Sequence, residues 1–161
     1  MSEPGSTVLF RELPPHLRYS LAERRSLRAF ARRAAALVLD RRTFTCVISD
    51  DKELRELNAT FLGHDYATDV LSFPAVEMGD GLGEIIISTE RAQEQAAEFG
   101  YDRVDEIRIL MLHGLLHLTG MDHETDRGEM AMAESKWREQ LGLPATLISR
   151  TNVNGTRGRG R

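Results

Sequence analysis

Residues 102–120 read DRVDEIRILMLHGLLHLTG, and this stretch predicts a single helix that ends at a glycine. Its second half overlaps a histidine motif, because residues 113–123 read HGLLHLTGMDH, with the spacing H-x3-H-x5-H. Residues four apart lie on the same face of an α-helix, about one turn from each other. His113 and His117 can therefore offer two imidazoles to a single metal ion.

The third histidine of the motif must approach from outside the helix. Gly120 can provide the turn, because glycine adopts the left-handed conformation at a helix end at little cost. The chain can then bring His123 back toward the helical pair. Three neutral imidazoles at about 2.0–2.1 Å from Zn²⁺ leave the fourth tetrahedral position open for water. We therefore expect one zinc ion bound by His113, His117 and His123, although nickel, cobalt or copper could use the same ligands.

This zincin-like helix departs from a protease motif at one position. Metzincin proteases read H-E-x-x-H-x-x-G-x-x-H, and here Gly114 replaces the glutamate that serves as their general base. Peptide cleavage by that route is therefore disfavoured. Zinc can still lower the pKa of a bound water to near 7, so hydrolysis remains the expected chemistry. Asp122 could be the base or could orient an imidazole, and Glu124 could be the base or lie in the first turn of a following helix.

The rest of the chain alternates strand and helix patterns around this motif. Asp50 and Glu53 predict a capping box, and Gly63 predicts the end of the same helix. The other predicted elements are a strand at VLFREL, a helix at about 17–40, strands at TFTCVIS, DVLSFP and GEIIIS, a helix at STERAQEQAAEFG and a last helix at about 124–141. The fold class is α/β, with a small sheet and about five helices. We expect one metallo-hydrolase domain at residues 1–144 and a basic, disordered tail at 145–161.

Composition places the chain among ordinary globular proteins. It has 161 residues, of which 41% are hydrophobic and 29% charged, which suits one domain. No window approaches the roughly 18 apolar residues that span a bilayer, and MSEPGSTVLF lacks the pattern of a secretory signal. Cys46 is the single cysteine and lies in an apolar run, so we expect a buried thiol and a reducing compartment. These observations predict a cytoplasmic protein.

The net charge of −4 is unevenly distributed. Residues 1–42 carry nine arginines against four acids, residues 43–144 carry eight basic residues against 21 acids, and residues 145–161 carry four arginines and no acid. On the first predicted helix, Arg25, Arg28 and Arg32 share a face away from the apolar stripe. Basic ends favour a polyanionic partner, although a solvated helix face and a loose tail would give the same pattern.

Three segments together resemble the bacterial YbeY-type endoribonucleases, also described as rRNA maturation factors. The segments are ATDVLSFP (residues 67–74), GLGEIIIS (81–88) and HGLLHLTGMDH (113–123), and the resemblance covers roughly residues 44–141. It implies an α/β fold with a small mixed sheet of four strands. It also implies a zinc site at the three histidines, hydrolysis of single-stranded RNA, maturation of the small-subunit rRNA 3′ end and a role in ribosome quality control.

The chain departs from that family pattern just before the TDVLSF segment. Many members carry a stretch resembling F-R-G-K-D-x-P-T-D, but FLGHDYATD places Leu62 at the arginine, His64 at the lysine and Ala67 at the proline. The phosphate-binding role of that arginine cannot be carried over. His64 could replace it as a donor or proton carrier, or it could be a surface histidine without a role. Asp69 matches the family motif and is a site candidate, although an aspartate before a strand can also brace a loop.

Three functions follow from these patterns. The first is a zinc-dependent, single-strand-specific endoribonuclease that acts on rRNA, with RNA and a ribosomal subunit as partners and neither DNA nor membrane expected. The second is a ribosome-associated assembly factor in which zinc is mainly structural. The third, disfavoured by Gly114, is a metallopeptidase. Asp69, Asp122 and His64 are candidates for the proton carrier, and attack by water or by the neighbouring 2′-hydroxyl both stay open.

Overall fold

A computed structural model describes residues 7–66, 68–75, 81–122 and 125–144. Within these ranges the chain forms four strands and five helices, which confirms the predicted α/β class. The elements are β1 (Thr7–Phe10), α1 (Leu21–Val38), β2 (Thr43–Ser49), α2 (Asp51–Leu62), β3 (Val70–Pro74), β4 (Gly81–Ser88), α3 (Thr89–Phe99), α4 (Arg103–Leu118) and α5 (Glu129–Leu141). The segment 76–80, Ala67, His123, Glu124 and the predicted tail at 145–161 lie outside the described residues.

The strands form one mixed sheet in the order β1-β2-β4-β3. β1 is parallel to β2 and β2 is parallel to β4, whereas β3 is antiparallel to β4. The four-stranded mixed sheet is therefore as predicted. Successive side chains of a strand point to opposite faces, so the isoleucine run of β4 supplies both faces of the sheet.

The two faces of the sheet carry cores of different size. Ile85 and Ile87 belong to the large core beneath α1 and α4, whereas Ile86 joins a small cluster with Leu54 of α2 and Leu71 of β3. Cys46 of β2 lies in the large core with no exposed surface, as predicted, and burial raises the pKa of its thiol. The large core thus lies on the side of the sheet that α4 covers.

Helix α4 is buried along most of its length. Apolar side chains surround it on several faces, as expected for a helix in the centre of a domain rather than on its surface. Its buried apolar residues are Ile107, Ile109, Leu110, Met111, Leu112, Leu115, Leu116 and Leu118. Among the described residues no helix is long and apolar enough to cross a membrane.

The predicted start of α1 is wrong by about four residues. The helix begins at Leu21 because Ser20 forms a capping box with Glu23, and a 3-10 turn at Pro15–Leu17 precedes it. Leu37, an apolar residue of the same helix, is 44% exposed. The apolar pattern alone therefore extended the helix too far toward the prolines.

The predicted start of the last helix and the predicted capping box of α2 also need correction. The last helix begins at Glu129 rather than near 124, because the Asp126 carboxylate accepts from the backbone N–H groups of Gly128 and Met130, at 2.9 and 2.8 Å. At the start of α2, Asp50 caps the helix as predicted, but the capping box is incomplete. The Glu53 carboxylate instead accepts hydrogen bonds from Arg11 and Ser49.

Candidate metal centre

Helix α4 brings two of the three predicted ligands together. The Nε2 atoms of His113 and His117 lie 3.2 Å apart, and the ring centroids are 4.7 Å apart. The His113 side chain is only 12% exposed, and His117 is half-buried. The two imidazoles therefore converge at a partly enclosed point on one face of the helix.

The spacing of the two nitrogens fits a zinc ion. Two ligands at about 2.0–2.1 Å from a tetrahedral Zn²⁺ are separated by about 3.3–3.4 Å, close to the observed 3.2 Å. His113 and His117 can thus share one ion with little movement. Within residues 7–66, 68–75, 81–122 and 125–144 no group of three metal-binding side chains occurs. His123, the predicted third ligand, lies outside those ranges.

A buried glutamate contacts the first histidine and was missed by the sequence prediction. Glu134 of α5 has no exposed surface, and its Oε1 lies 2.8 Å from Nδ1 of His113. A metal-ligating imidazole almost always donates its outer N–H to a carboxylate, a backbone carbonyl or water. The available signal was position, because Glu134 lies about one helical turn after the apolar residue Met130.

Gly114 lies where α4 touches the sheet. A Cβ atom built on it would be 2.8 Å from Cγ2 of Ile85, and its carbonyl accepts a hydrogen bond of 3.3 Å from Ser72 of β3. The residue therefore faces β3 and β4, and a larger side chain would have to displace a buried isoleucine. The glutamate of a metzincin has no room at this position.

The three proton-carrier candidates occupy different environments. Asp69 is 6% exposed just before β3, and its carbonyl accepts from the Ser88 N–H at 2.9 Å. Asp122 is half-buried beyond the end of α4. His64 is exposed, and its ring lies 5.4 Å from that of Tyr66. All three roles stay predictions.

The segment that departs from the family pattern lies at the surface. Leu62, at the expected arginine position, is 46% exposed at the end of α2.

On α1, Arg25 and Arg32 are exposed as predicted, but Arg28 is half-buried. Its guanidinium lies over the Phe10 ring and donates to the Val8 carbonyl, so Arg28 holds β1 against α1.

The fold places the chain in a known class of single-domain α/β proteins. The solution structure of a Thermotoga maritima protein is similar over 97% of this chain and 99% of that one, with a TM-score of 0.59 and 26% identity. A family model described as Endoribonuclease YbeY matches residues 21–141.

Relatives over most of the length carry the same description. A protein from Solibacter usitatus (strain Ellin6076), named Endoribonuclease YbeY, is 54% identical over 151 residues, which are 93% of this chain and 98% of the relative. One of that name from Koribacter versatilis (strain Ellin345) is 48% identical over 126 residues, 78% of this chain and 82% of the relative. The chain therefore belongs to the YbeY endoribonuclease family.

Proposed function

We propose that this protein is a zinc-dependent endoribonuclease that cleaves single-stranded RNA in the cytoplasm. Its substrate would be ribosomal RNA, at the 3′ end of the small-subunit rRNA and in ribosome quality control. The observation that carries the proposal is the 3.2 Å approach of the His113 and His117 Nε2 atoms on a buried helix. Family membership supports RNA as the substrate.

One zinc ion would be held by His113, His117 and His123. When bound, it would supply Lewis-acid chemistry, polarising a phosphoryl oxygen and lowering the pKa of a bound water toward 7. The chain's own contribution is orientation. Gly114 sets α4 directly on β4, so the two imidazoles are fixed relative to the sheet. Asp69, Asp122 and His64 are the candidates for moving a proton at the scissile phosphate.

The surface charge of α1 supports binding of a polyanion. Arg25 and Arg32 are exposed on this helix. RNA affinity should therefore fall between about 50 and 200 mM salt, with a slope of about −0.7 in log K against log salt for each single-strand phosphate contact. Arg25→Gln combined with Arg32→Gln should flatten that slope. Lys52→Gln, an exposed charge paired with Glu56 on α2, should not. An affinity that does not respond to salt would contradict this role for the arginines.

The central test compares metal content and cleavage in matched proteins. Bound zinc is measured by elemental analysis, and cleavage of single-stranded RNA is measured for native, chelated, zinc-restored and His117→Ala protein. We expect cleavage to disappear on chelation, to return with zinc and to be lost in His117→Ala. His16→Ala, the same change at an exposed histidine, is purified in the same way and serves as the control.

The outcomes separate the alternatives left open by the sequence. Cleavage that survives complete metal removal would contradict the proposed mechanism. A His117→Ala protein that still binds RNA but does not cleave it supports the enzyme, whereas joint loss of folding and association favours the assembly factor with structural zinc. Product ends distinguish the nucleophiles, because a 2′,3′-cyclic phosphate requires attack by the 2′-hydroxyl rather than by water.

A further inference from the structure

The side chain of Glu134 reaches from α5 to the outer nitrogen of the first predicted ligand. We propose that Glu134 is a positioning residue of the metal centre, which holds His113 in the tautomer that presents Nε2 to the metal. This inference rests on the zinc site of the proposed function. It adds a residue that lies outside the histidine motif and on another helix.

The proposal assigns the proton on the His113 ring. If Glu134 Oε1 accepts across the 2.8 Å contact, the hydrogen lies on Nδ1 of His113. A neutral imidazole carries one such hydrogen, and Nε2 is left with a lone pair. That lone pair belongs to the atom that lies 3.2 Å from Nε2 of His117. The same bond fixes the rotation of the ring about its χ angles.

Stability alone does not account for a glutamate at this position. Glu134 has no exposed surface, and its Oε2 has no hydrogen-bond partner among the described residues. A buried carboxylate with one strong contact is commonly no more stabilising than an apolar side chain of similar volume. Met130, one turn earlier on the same face, shows that the helix can place such a side chain in the core. The contact with His113 is the feature that an apolar side chain cannot provide.

The main test measures Zn²⁺ affinity of the full chain by competition with a chromophoric chelator. Glu134→Leu should weaken zinc binding by about 10–100-fold, the usual effect of losing such a partner. Glu134→Gln keeps an acceptor of the same shape and should recover most of that loss. Glu139→Leu, the same change at an exposed position of α5, should leave the affinity at the wild-type value.

A second measurement reports the tautomer directly and does not depend on zinc. In the metal-free protein, nitrogen-detected correlation spectra of the imidazoles should show His113 protonated at Nδ1. The proton should remain there in Glu134→Gln and move at least partly to Nε2 in Glu134→Leu. A glutamate that only fills space in the core would not move this proton. If Glu134→Leu does not fold, the tautomers of wild type and Glu134→Gln still test the assignment, and protonation of His113 at Nε2 in the wild type would overturn it.

Different results would contradict the role of Glu134 and the zinc site of the proposed function. Equal zinc affinity in wild type and Glu134→Leu, with His113 protonated at Nδ1 in both, would overturn the role of Glu134 and leave the metal centre standing. A wild-type protein that takes up no zinc under the same conditions would overturn both.

Discussion

Glu106 of α4 and Glu134 of α5 are both carboxylates without exposed surface, but their partners differ. Glu106, near the start of the helix, accepts hydrogen bonds from the Gln95 amide and from the Tyr101 hydroxyl, the latter at 3.0 Å. Both donors are neutral and come from α3 and the loop that follows it. Glu134, near the other end, contacts the imidazole of His113 at 2.8 Å.

The difference shows that one helix combines two tasks. Its first half is fixed to α3 by a carboxylate whose two oxygens both have partners, which is the arrangement that makes buried polar groups stabilising. Its second half carries the histidines. There, the carboxylate of Glu134 on α5 contacts the ring of a predicted metal ligand, His113. The comparison leads to four predictions.

The largest stability loss is expected when the structural carboxylate is removed. Glu106→Leu should lower the free energy of unfolding by about 2–4 kcal/mol, because the buried Gln95 amide would lose its acceptor and the half-buried Tyr101 would lose a hydrogen bond. Chemical denaturation of the metal-free protein measures this loss. Zinc affinity per folded molecule should stay at the wild-type value. A large fall in that affinity, without loss of fold, would remove the distinction between the two halves of α4.

A methyl group at Gly114, between the two histidines, should cost somewhat less. Gly114→Ala should lower the free energy of unfolding by about 1–2 kcal/mol, because overpacking costs about 1–3 kcal/mol and the helix propensity of alanine returns up to about 1. The clash is with Ile85, so a double-mutant cycle with Ile85→Ala tests it. The double variant should be more stable than the sum of the two single losses predicts. Additive losses would mean that the two residues do not press on each other.

Removing the second carboxylate should have a small effect on the metal-free protein. Glu134→Leu should leave the free energy of unfolding within about 1 kcal/mol of wild type, since loss of a buried charge offsets the hydrogen bond that His113 loses. Thermal unfolding with and without zinc measures the stability of this variant. Zinc should raise the melting temperature of Glu134→Leu less than that of wild type. A loss as large as that of Glu106→Leu would instead place Glu134 among the structural carboxylates.

Glu53, a half-buried carboxylate, can be compared with the buried Glu106 and Glu134. Burial acts to raise the pKa of Glu53, but hydrogen bonds from Arg11 and Ser49 outweigh it and lower the pKa overall. A lowered folded pKa adds stability above the unfolded value of about 4.3, and this stability is lost as pH falls through the folded pKa. Glu53→Gln should therefore cost less than about 1 kcal/mol at pH 7 and progressively less below pH about 4. In an Arg11→Gln background the same change should cost little at any pH, and an unchanged cost there would contradict the pairing.

Most of the fold could be predicted because strand composition and helix-ending glycines are visible in short stretches of sequence. The strand TFTCVIS has the same bounds in the structure, and Gly63 and Gly100 end their helices in the left-handed conformation, as expected for C-terminal glycines. Helix starts were less accurate. The turn built by Asp126 and Gly128 displaces the start of α5, and such a hydrogen-bonded turn has no apolar periodicity to reveal it.

The candidate site was predictable only as far as sequence spacing reaches. The His113 and His117 pair follows from an interval of four residues on one helix. Glu134 lies 21 positions from His113, on a helix whose packing angle no local pattern states. From sequence alone, a glutamate in a helix is ordinarily expected at the surface. Glu134 is buried because α5 packs on α4.

The contact between Gly114 and Ile85 also limits how this domain could acquire new chemistry. Replacing Gly114 with glutamate would create the histidine and glutamate spacing of a metzincin. The new side chain, however, would have to enter the space between α4 and β4. An evolutionary or engineered route to peptidase activity would first have to move the helix away from the sheet. The separation of these two layers, rather than the identity of the ligands, thus restricts which reactions are accessible by point mutation.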